Sequence, residues 1–157
     1  MLHIKLDSNT FIHQGEYGGM YVAVNLSRRV DYPMIDSANI AYFPRIYDLA
    51  HRFFEESWEY ICNITYPDML EQRRIGFPIV NAKTDFIAPM RYGDTIKAKI
   101  WISNVGNKSC TWQYRFHNQN GKLLWSSEHV TVCVDMDSLE SMSIPEDFRS
   151  GLEACVQ

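Results

Sequence analysis

The residues with the clearest chemical potential lie in a loop that leads into a helix. Asp36 lies in this loop, and Phe43 directly precedes Pro44, a residue suited to the first helical position. The N–H groups of a first helical turn have no intrahelical acceptor, so they can polarise a carbonyl and stabilise an oxyanion. A carboxylate beside them can act as nucleophile or general base. Asp36 can equally be a turn or capping residue, because Asp is common in both roles.

Other catalytic signatures are absent from the sequence. It contains no G-x-S-x-G, no H-E-x-x-H, no phosphate-binding P-loop and no dinucleotide fingerprint. The four cysteines include no C-x-x-C pair and the five histidines are isolated, so we expect no metal site. We also expect no organic cofactor, because a carboxylate and a helix terminus together supply a nucleophile and electrostatic stabilisation.

Composition limits the class of protein. The chain has 157 residues, of which 46% are hydrophobic and 22% charged, which predicts one folded domain with a real core. Its net charge of −4 disfavours a general nucleic-acid binder. No apolar run approaches the roughly 20 residues of a membrane span, and the N-terminus lacks the order of a signal peptide. We therefore expect a cytoplasmic protein with free thiols and no membrane partner.

One long amphipathic helix must position the Asp36 loop. From Pro44 onwards, apolar and small residues recur every three or four positions for about five turns. The predicted inner face comprises Ile46, Leu49, Ala50, Phe53, Phe54, Ser57 and Ile61.

The rest of the chain predicts strands. Alternating patterns and turn signals place them at 21–30, 77–88, 95–105, 108–117 and 122–134. The last four are joined by short loops, which predicts an antiparallel meander whose apolar face packs on the helix. The fold class is therefore α+β, with a curved antiparallel sheet wrapped around one long central helix. Residues 1–20 are interpreted as an N-terminal extension and 21–157 as the domain.

A family resemblance adds to this interpretation. Residues 36–44, followed by Glu55-Glu56-Ser57, resemble the signature of hotdog-fold acyl-CoA thioesterases of the 4-hydroxybenzoyl-CoA thioesterase family. The likeness continues through residues 76–80 and 91–94. Residues 51–57 are also similar to 1,4-dihydroxy-2-naphthoyl-CoA hydrolases. The resemblance covers residues 21–148 and implies the hotdog fold.

The resemblance also implies roles for individual residues. The family's essential carboxylate, which cleaves the thioester as nucleophile or general base, corresponds to Asp36. The backbone amide that polarises the thioester carbonyl corresponds to Phe43. A basic residue that contacts CoA phosphate corresponds to Lys108, which can equally be a solvated lysine of a turn. Asn39 stands where the family usually has glycine, and Asn tolerates the left-handed backbone better than most residues.

Several residues are candidates for the acyl pocket. Tyr42, Tyr47 and Phe77 can shape an aromatic-acyl pocket or simply belong to the core between sheet and helix. His51 can line the same pocket, or it can be satisfied by a neighbouring hydrogen bond. The histidine that a short-chain acyl-CoA branch carries at the position of Phe43 is absent, which favours an aromatic acyl group.

The resemblance therefore implies a thioester hydrolase that cleaves an acyl-CoA to a free acid and CoA. The exposed edge of such a sheet predicts a homodimer or homotetramer. Two alternatives stay open. The protein can be an acyl-carrier-protein thioesterase or dehydratase, or it can be a non-catalytic acyl-CoA-binding protein.

Overall fold

A computed structural model describes residues 10–14 and 20–157. The helices are α1 (Phe43–Cys62), α2 (Tyr66–Glu71) and α3 (Glu146–Ala154). The strands are β1 (Thr10–Gln14), β2 (Met20–Arg29), β3 (Ile75–Gly76), β4 (Ile79–Phe86), β5 (Thr95–Val105), β6 (Ser109–His117), β7 (Leu123–Val132) and β8 (Val134–Asp135).

Six strands form one antiparallel sheet in the order β1-β2-β5-β6-β7-β4, and β3 pairs separately with β8. Buried and less buried residues alternate along β6 and β7, as expected for strands that cover a core with one face. That face packs on α1, so the predicted sheet around a long helix is confirmed.

The long helix has the predicted inner face. Six of the seven predicted residues are buried, and Trp58 completes the buried set where Ile61 is only half-buried. Pro44 lies in the first turn, where its ring costs no hydrogen bond. Asn63 ends the helix in the left-handed conformation with φ 52°, and its N–H donates to the carbonyl of Glu59.

Aromatic side chains fill the core at the C-terminal half of α1. Trp58 is fully buried and contacts Phe54, Trp112 and Phe77 at ring-centroid distances of 5.9, 5.3 and 4.6 Å. The terminal helix α3 closes this end. Gly151 allows its close approach, because a Cβ there would overlap the carbonyl oxygen of Ile61.

The predicted strand order is wrong at one position. The sequence predicts a meander of four consecutive strands, but only β5, β6 and β7 form one, and β4 pairs with β7. The edge of β5 that β4 would have used is occupied by β2. Backbone hydrogen bonds of 2.7 Å from Val30 N to Asp94 O and 3.0 Å from Gly93 N to Val30 O continue that pairing beyond the strands.

The N-terminal region contributes to the sheet. Within the predicted extension, β1 pairs antiparallel with β2; residues 1–9 and 15–19 lie outside the described residues. In the part of the chain that the structure describes, no helix is long and apolar enough to cross a membrane.

Candidate active site

A tight loop holds Asp36. The backbone N–H of Asp36 donates to the carbonyl of Ile40 and the N–H of Asn39 donates to the carbonyl of Asp36, both at 3.0 Å. Asn39 has φ 59°, so it adopts the left-handed conformation that glycine would adopt without cost. The carboxylate oxygen Oδ1 of Asp36 accepts a hydrogen bond of 2.8 Å from the N–H of Ala38. Asp36 therefore forms the local turn that its residue type allows, and it remains half-buried.

The same loop is fastened to the start of α1. Residues Ile35 and Ala41 form an antiparallel bridge, and the Tyr42 N–H donates to the carbonyl of Met34 at 2.8 Å. The N–H of Phe43 follows it in the first helical turn and has no acceptor among the described residues. The unpaired backbone donor at this end of α1 is thus the N–H of Phe43, the amide that the family resemblance identifies as the oxyanion donor.

This arrangement suits attack on a carbonyl. The second carboxylate oxygen of Asp36 has no hydrogen-bond partner among the described residues. The bridge between Ile35 and Ala41 brings the loop that carries Asp36 back beside the start of α1. A carboxylate next to an unpaired helix-terminal N–H can supply a nucleophile or base together with an oxyanion donor.

Tyr47 connects the helix to the edge of the sheet. Its hydroxyl donates to Thr84 Oγ1 at 2.8 Å, and Thr84 Oγ1 lies 2.7 Å from Ser127 Oγ. The ring of Tyr47 meets Phe86 and Trp125 edge-on at centroid distances of 6.2 and 6.0 Å. Aromatic and hydroxyl groups therefore share this side of α1.

His129 lies beside that cluster. Its ring stacks with Tyr47 at 6.2 Å and is tilted against Tyr114 at 4.8 Å. His129 Nε2 and the Tyr114 hydroxyl are buried and have no hydrogen-bond partner in the described part of the chain. Burial, and secondarily the charge of His51, lowers the pKa of His129 to about 4, so the imidazole is neutral near pH 7. The residues of this cluster are isolated in the sequence, so no motif predicts that they lie together.

The other predicted pocket residues lie apart from one another. Tyr42 is exposed and contacts Phe43 edge-on. His51 is half-exposed, and its Nε2 lies 3.1 Å from Glu55 Oε1 across one helical turn. Phe77 is buried against Trp58, about 22 Å along α1 from Phe43 at 1.5 Å per residue.

Lys108 lies at the opposite end of the sheet from Asp36. Its ammonium group donates to the backbone carbonyl and hydroxyl of Ser141 at 3.1 and 3.2 Å. The strand β5 runs between the Asp94 turn, next to the Asp36 loop, and the turn that carries Lys108. Its 11 residues correspond to about 33 Å between the first and the last. Lys108 and Asp36 of one chain thus cannot contact the same small group.

Sequence reasoning missed a basic groove between the end of β2 and the first half of α1. We call it the arginine groove, and it encloses about 320 Å³. Asp36 does not line it. The residues that form it are far apart in sequence, so only the packing of β2 on α1 reveals it. They are Arg28, Arg29, Asp31, Pro33, Met34, Arg45, Asp48, Leu49 and Arg52.

The cysteines are free thiols, as predicted. Burial raises the pKa of Cys133 to about 11 and that of Cys155 to about 12, and it also raises the pKa of Cys62 and Cys110. Thiolate formation at neutral pH is therefore suppressed, and these residues are unsuited to nucleophilic catalysis. Among the described residues, no group of His, Cys, Asp and Glu side chains could hold a metal ion.

An antiparallel sheet wrapped around a long helix, with a carboxylate loop feeding the first turn of that helix, defines a hotdog-fold domain. The chain belongs to the thioesterase-like superfamily, whose family model matches residues 28–152.

Curated relatives and solved structures agree with this assignment. A 1,4-dihydroxy-2-naphthoyl-CoA hydrolase of Nostoc punctiforme is 27% identical over 129 residues, which cover 81% of this chain and 84% of the relative. The structure of the gentisyl-coenzyme A thioesterase BH1999 superposes with a TM-score of 0.73 at 24% identity and covers 80% of this chain and 98% of that one. A mutant 4-hydroxybenzoyl-CoA thioesterase in complex with 4-hydroxybenzoyl-CoA superposes with a TM-score of 0.76 at 17% identity and covers 83% of this chain and 98% of that one. The structural likenesses establish the fold.

Proposed function

We propose that this protein hydrolyses an aromatic acyl-CoA to the free acid and CoA. Family membership and relatives named as aromatic acyl-CoA hydrolases support the reaction class. The observation that carries the proposal is the pairing of the Asp36 loop with the unpaired N–H of Phe43 at the start of α1.

In the proposed mechanism, Asp36 acts on the thioester carbonyl carbon, either directly or by removing a proton from an attacking water. The carbonyl oxygen becomes an oxyanion and accepts a hydrogen bond from the Phe43 N–H. Collapse of this intermediate expels the CoA thiolate. If Asp36 attacks directly, the product is a mixed anhydride, and water then cleaves it to release the acid and regenerate the carboxylate.

The cluster around Tyr47 supports an aromatic acyl group. Phe86, Trp125 and His129 all place rings against Tyr47, and aromatic rings favour edge-on and offset contacts with further rings. We therefore propose that Tyr47 and its neighbours contact the acyl group, while Tyr42 and Phe43 shape its entrance.

We further propose that two copies pair through β4, as a homodimer that can associate further into a homotetramer. Every residue of β4 except Thr84 is exposed, including Val80 at 59% and Phe86 at 53%. One edge of β4 pairs with β7, and β4 is the last strand of the sheet in this direction. An exposed edge strand that carries apolar side chains is suited to pairing with another strand.

A non-catalytic acyl-CoA-binding protein is the second candidate. The hydrogen bond from the Ala38 N–H to Asp36 Oδ1 favours it, because this bond holds the carboxylate in a local turn. In that case acyl-CoA binds without release of CoA.

The test is a thiol-release assay with short-chain, long-chain and aromatic acyl-CoAs. We expect an aromatic acyl-CoA to be hydrolysed fastest, and Asp36→Asn to lower kcat by about 100-fold or more while the fold is kept. The matched control is Asp137→Asn, which removes an exposed carboxylate paired with Arg74. An unchanged kcat for Asp36→Asn would exclude Asp36 as the catalytic group, and tight binding without thiol release would favour the second candidate.

A further inference from the structure

The arginine groove has a charge opposite to that of the whole chain. Four arginines and two aspartates line it, whereas the chain has a net charge of −4. Its volume of about 320 Å³ lies at the lower end of the range for pockets that hold small ligands. A concave surface with surplus guanidinium groups is suited to a phosphorylated ligand, because guanidinium binds phosphate with paired hydrogen bonds.

Arg45 is the arginine of this groove that has no acidic partner in the described part of the chain. It lies in the first turn of α1, where a cation opposes the positive end of the helix dipole. An arginine at this position therefore does not stabilise the helix. Binding an anionic ligand is a role that would account for the side chain.

The other three arginines are paired, but the pairs are exposed. Arg29 lies 2.9 Å from Asp31, Arg52 lies 3.2 Å from Asp48, and Arg28 lies 2.8 Å from Glu56. Exposed ion pairs contribute little to stability. Their guanidinium groups have further donors, so they can bind a phosphate while the carboxylates keep them oriented.

Two exposed tyrosines lie beside the groove. Tyr32 and Tyr92 are 76% and 64% exposed and contact each other edge-on at 6.1 Å. Tyr32 adjoins the groove residues Asp31 and Pro33 in the chain. Tyr92 precedes Gly93, whose N–H donates at 3.0 Å to the carbonyl of Val30, the residue that follows Arg29. Aromatic rings next to arginines are the surface on which nucleobases stack.

The groove and the catalytic loop share a wall. Met34 lines the groove, and its carbonyl accepts the N–H of Tyr42, the residue next to Phe43. The groove therefore adjoins the entry to α1, where the Phe43 amide lies. Lys108, by contrast, follows the far end of β5, a strand about 33 Å long, and is bonded to Ser141.

We propose that the arginine groove binds the nucleotide end of CoA, with Arg45 and its neighbours on the phosphates and Tyr32 and Tyr92 against the adenine. This assignment rests on the proposed function, since it places the thioester of the same ligand at Asp36. It adds a phosphate site within the same chain as the catalytic loop, so the phosphate contact does not depend on Lys108.

The first experiment compares a full and a truncated substrate. With an aromatic acyl-CoA, Arg45→Gln is expected to raise KM about tenfold with kcat unchanged, the loss expected for one charge-assisted hydrogen bond. With the N-acetylcysteamine thioester of the same acid, which has no nucleotide, KM is expected to stay the same. The matched control is Lys97→Gln, which removes one positive charge from an exposed residue of β5.

The second experiment measures binding without turnover. Calorimetry with adenosine 3′,5′-bisphosphate is expected to detect binding to the wild type and about tenfold weaker binding to Arg45→Gln. Binding without hydrolysis of any thioester would leave the groove assignment standing and contradict the proposed function.

Three results would overturn the groove assignment. One is hydrolysis by the wild type with no effect of Arg45→Gln on KM or on binding. Another is a rise in KM for Lys108→Gln in place of Arg45→Gln. The third is binding of inorganic pyrophosphate as tight as that of the nucleotide, because the groove would then recognise phosphate alone.

Discussion

Two neighbouring strands of the same sheet, β7 and β4, present their side chains in opposite ways. Along β7 every second residue is buried, from Trp125 to Thr131, whereas β4 has no buried residue. Both strands are nevertheless paired in register from Ala82 opposite His129 to Phe86 opposite Trp125. Backbone pairing and a few side-chain contacts, chiefly those of Thr84, thus hold β4 in the sheet, and most of its other side chains remain exposed.

The Tyr47 cluster lies at the boundary between these two regions. The hydroxyls of Tyr47, Thr84 and Ser127 link α1 to β4 and β7 through distances of 2.8 and 2.7 Å. A similar gradient runs along α1, where Phe43 at the start is 56% exposed and Trp58 is fully buried. The C-terminal half of α1 therefore serves stability, while the N-terminal half and β4 present the groups that suit ligand and subunit contacts.

The largest change in stability is expected from a substitution in the buried core at the C-terminal half of α1. Trp58→Ala removes the ring that Phe54, Phe77 and Trp112 surround, and it should lower the free energy of unfolding by about 3–5 kcal/mol. Urea denaturation followed by circular dichroism measures this change. Val80→Ala is the matched truncation on β4 and should cost less than about 0.5 kcal/mol. Equal losses for the two variants would contradict the contrast between core and edge.

A smaller effect is expected from His129, which lies on β7 next to the boundary. Its pKa of about 4 in the folded protein is below the value of roughly 6.5 in an unfolded chain. The unfolded state therefore binds more protons between these values, so stability is full above pH 6.5 and falls as the pH is lowered towards 4. The carboxyls of Asp135 and Asp147 have lowered pKa values and titrate below this window.

Urea denaturation at several pH values between 4 and 7 tests this expectation. His129→Gln should show a shallower loss of stability than the wild type. His117 also has a pKa lowered mainly by burial and contributes in the same direction to both proteins. Identical slopes for wild type and His129→Gln would show that the buried imidazole is not the group that titrates.

Local patterns predicted the elements well, because side-chain periodicity depends on which face is buried. The helix from Pro44 and the strand at 95–105 both match the structure, and the left-handed turn at Asn39 retains the conformation that glycine would take. The partner of β4 was not predictable in this way, because an exposed edge strand has no periodicity that specifies its neighbour. The arginine groove and the His129 cluster were missed for a related reason, since each joins residues from separate elements.

The smallest change in folding energy is expected when a charge is introduced on the exposed strand β4. The same substitution should have the clearest effect on assembly. In the proposed dimer, Val80→Arg places two like charges close together at the β4 pairing, which should separate the copies. The folding energy of the single chain should change by less than about 0.5 kcal/mol, because Val80 is 59% exposed. Sedimentation measures the mass of the assembly. The melting temperature of the wild type should rise with protein concentration, whereas that of the variant should not.

The control is Leu139→Arg, which alters an exposed apolar residue outside β4. An unchanged mass for Val80→Arg would place the subunit contact elsewhere and leave the exposure of β4 without this explanation.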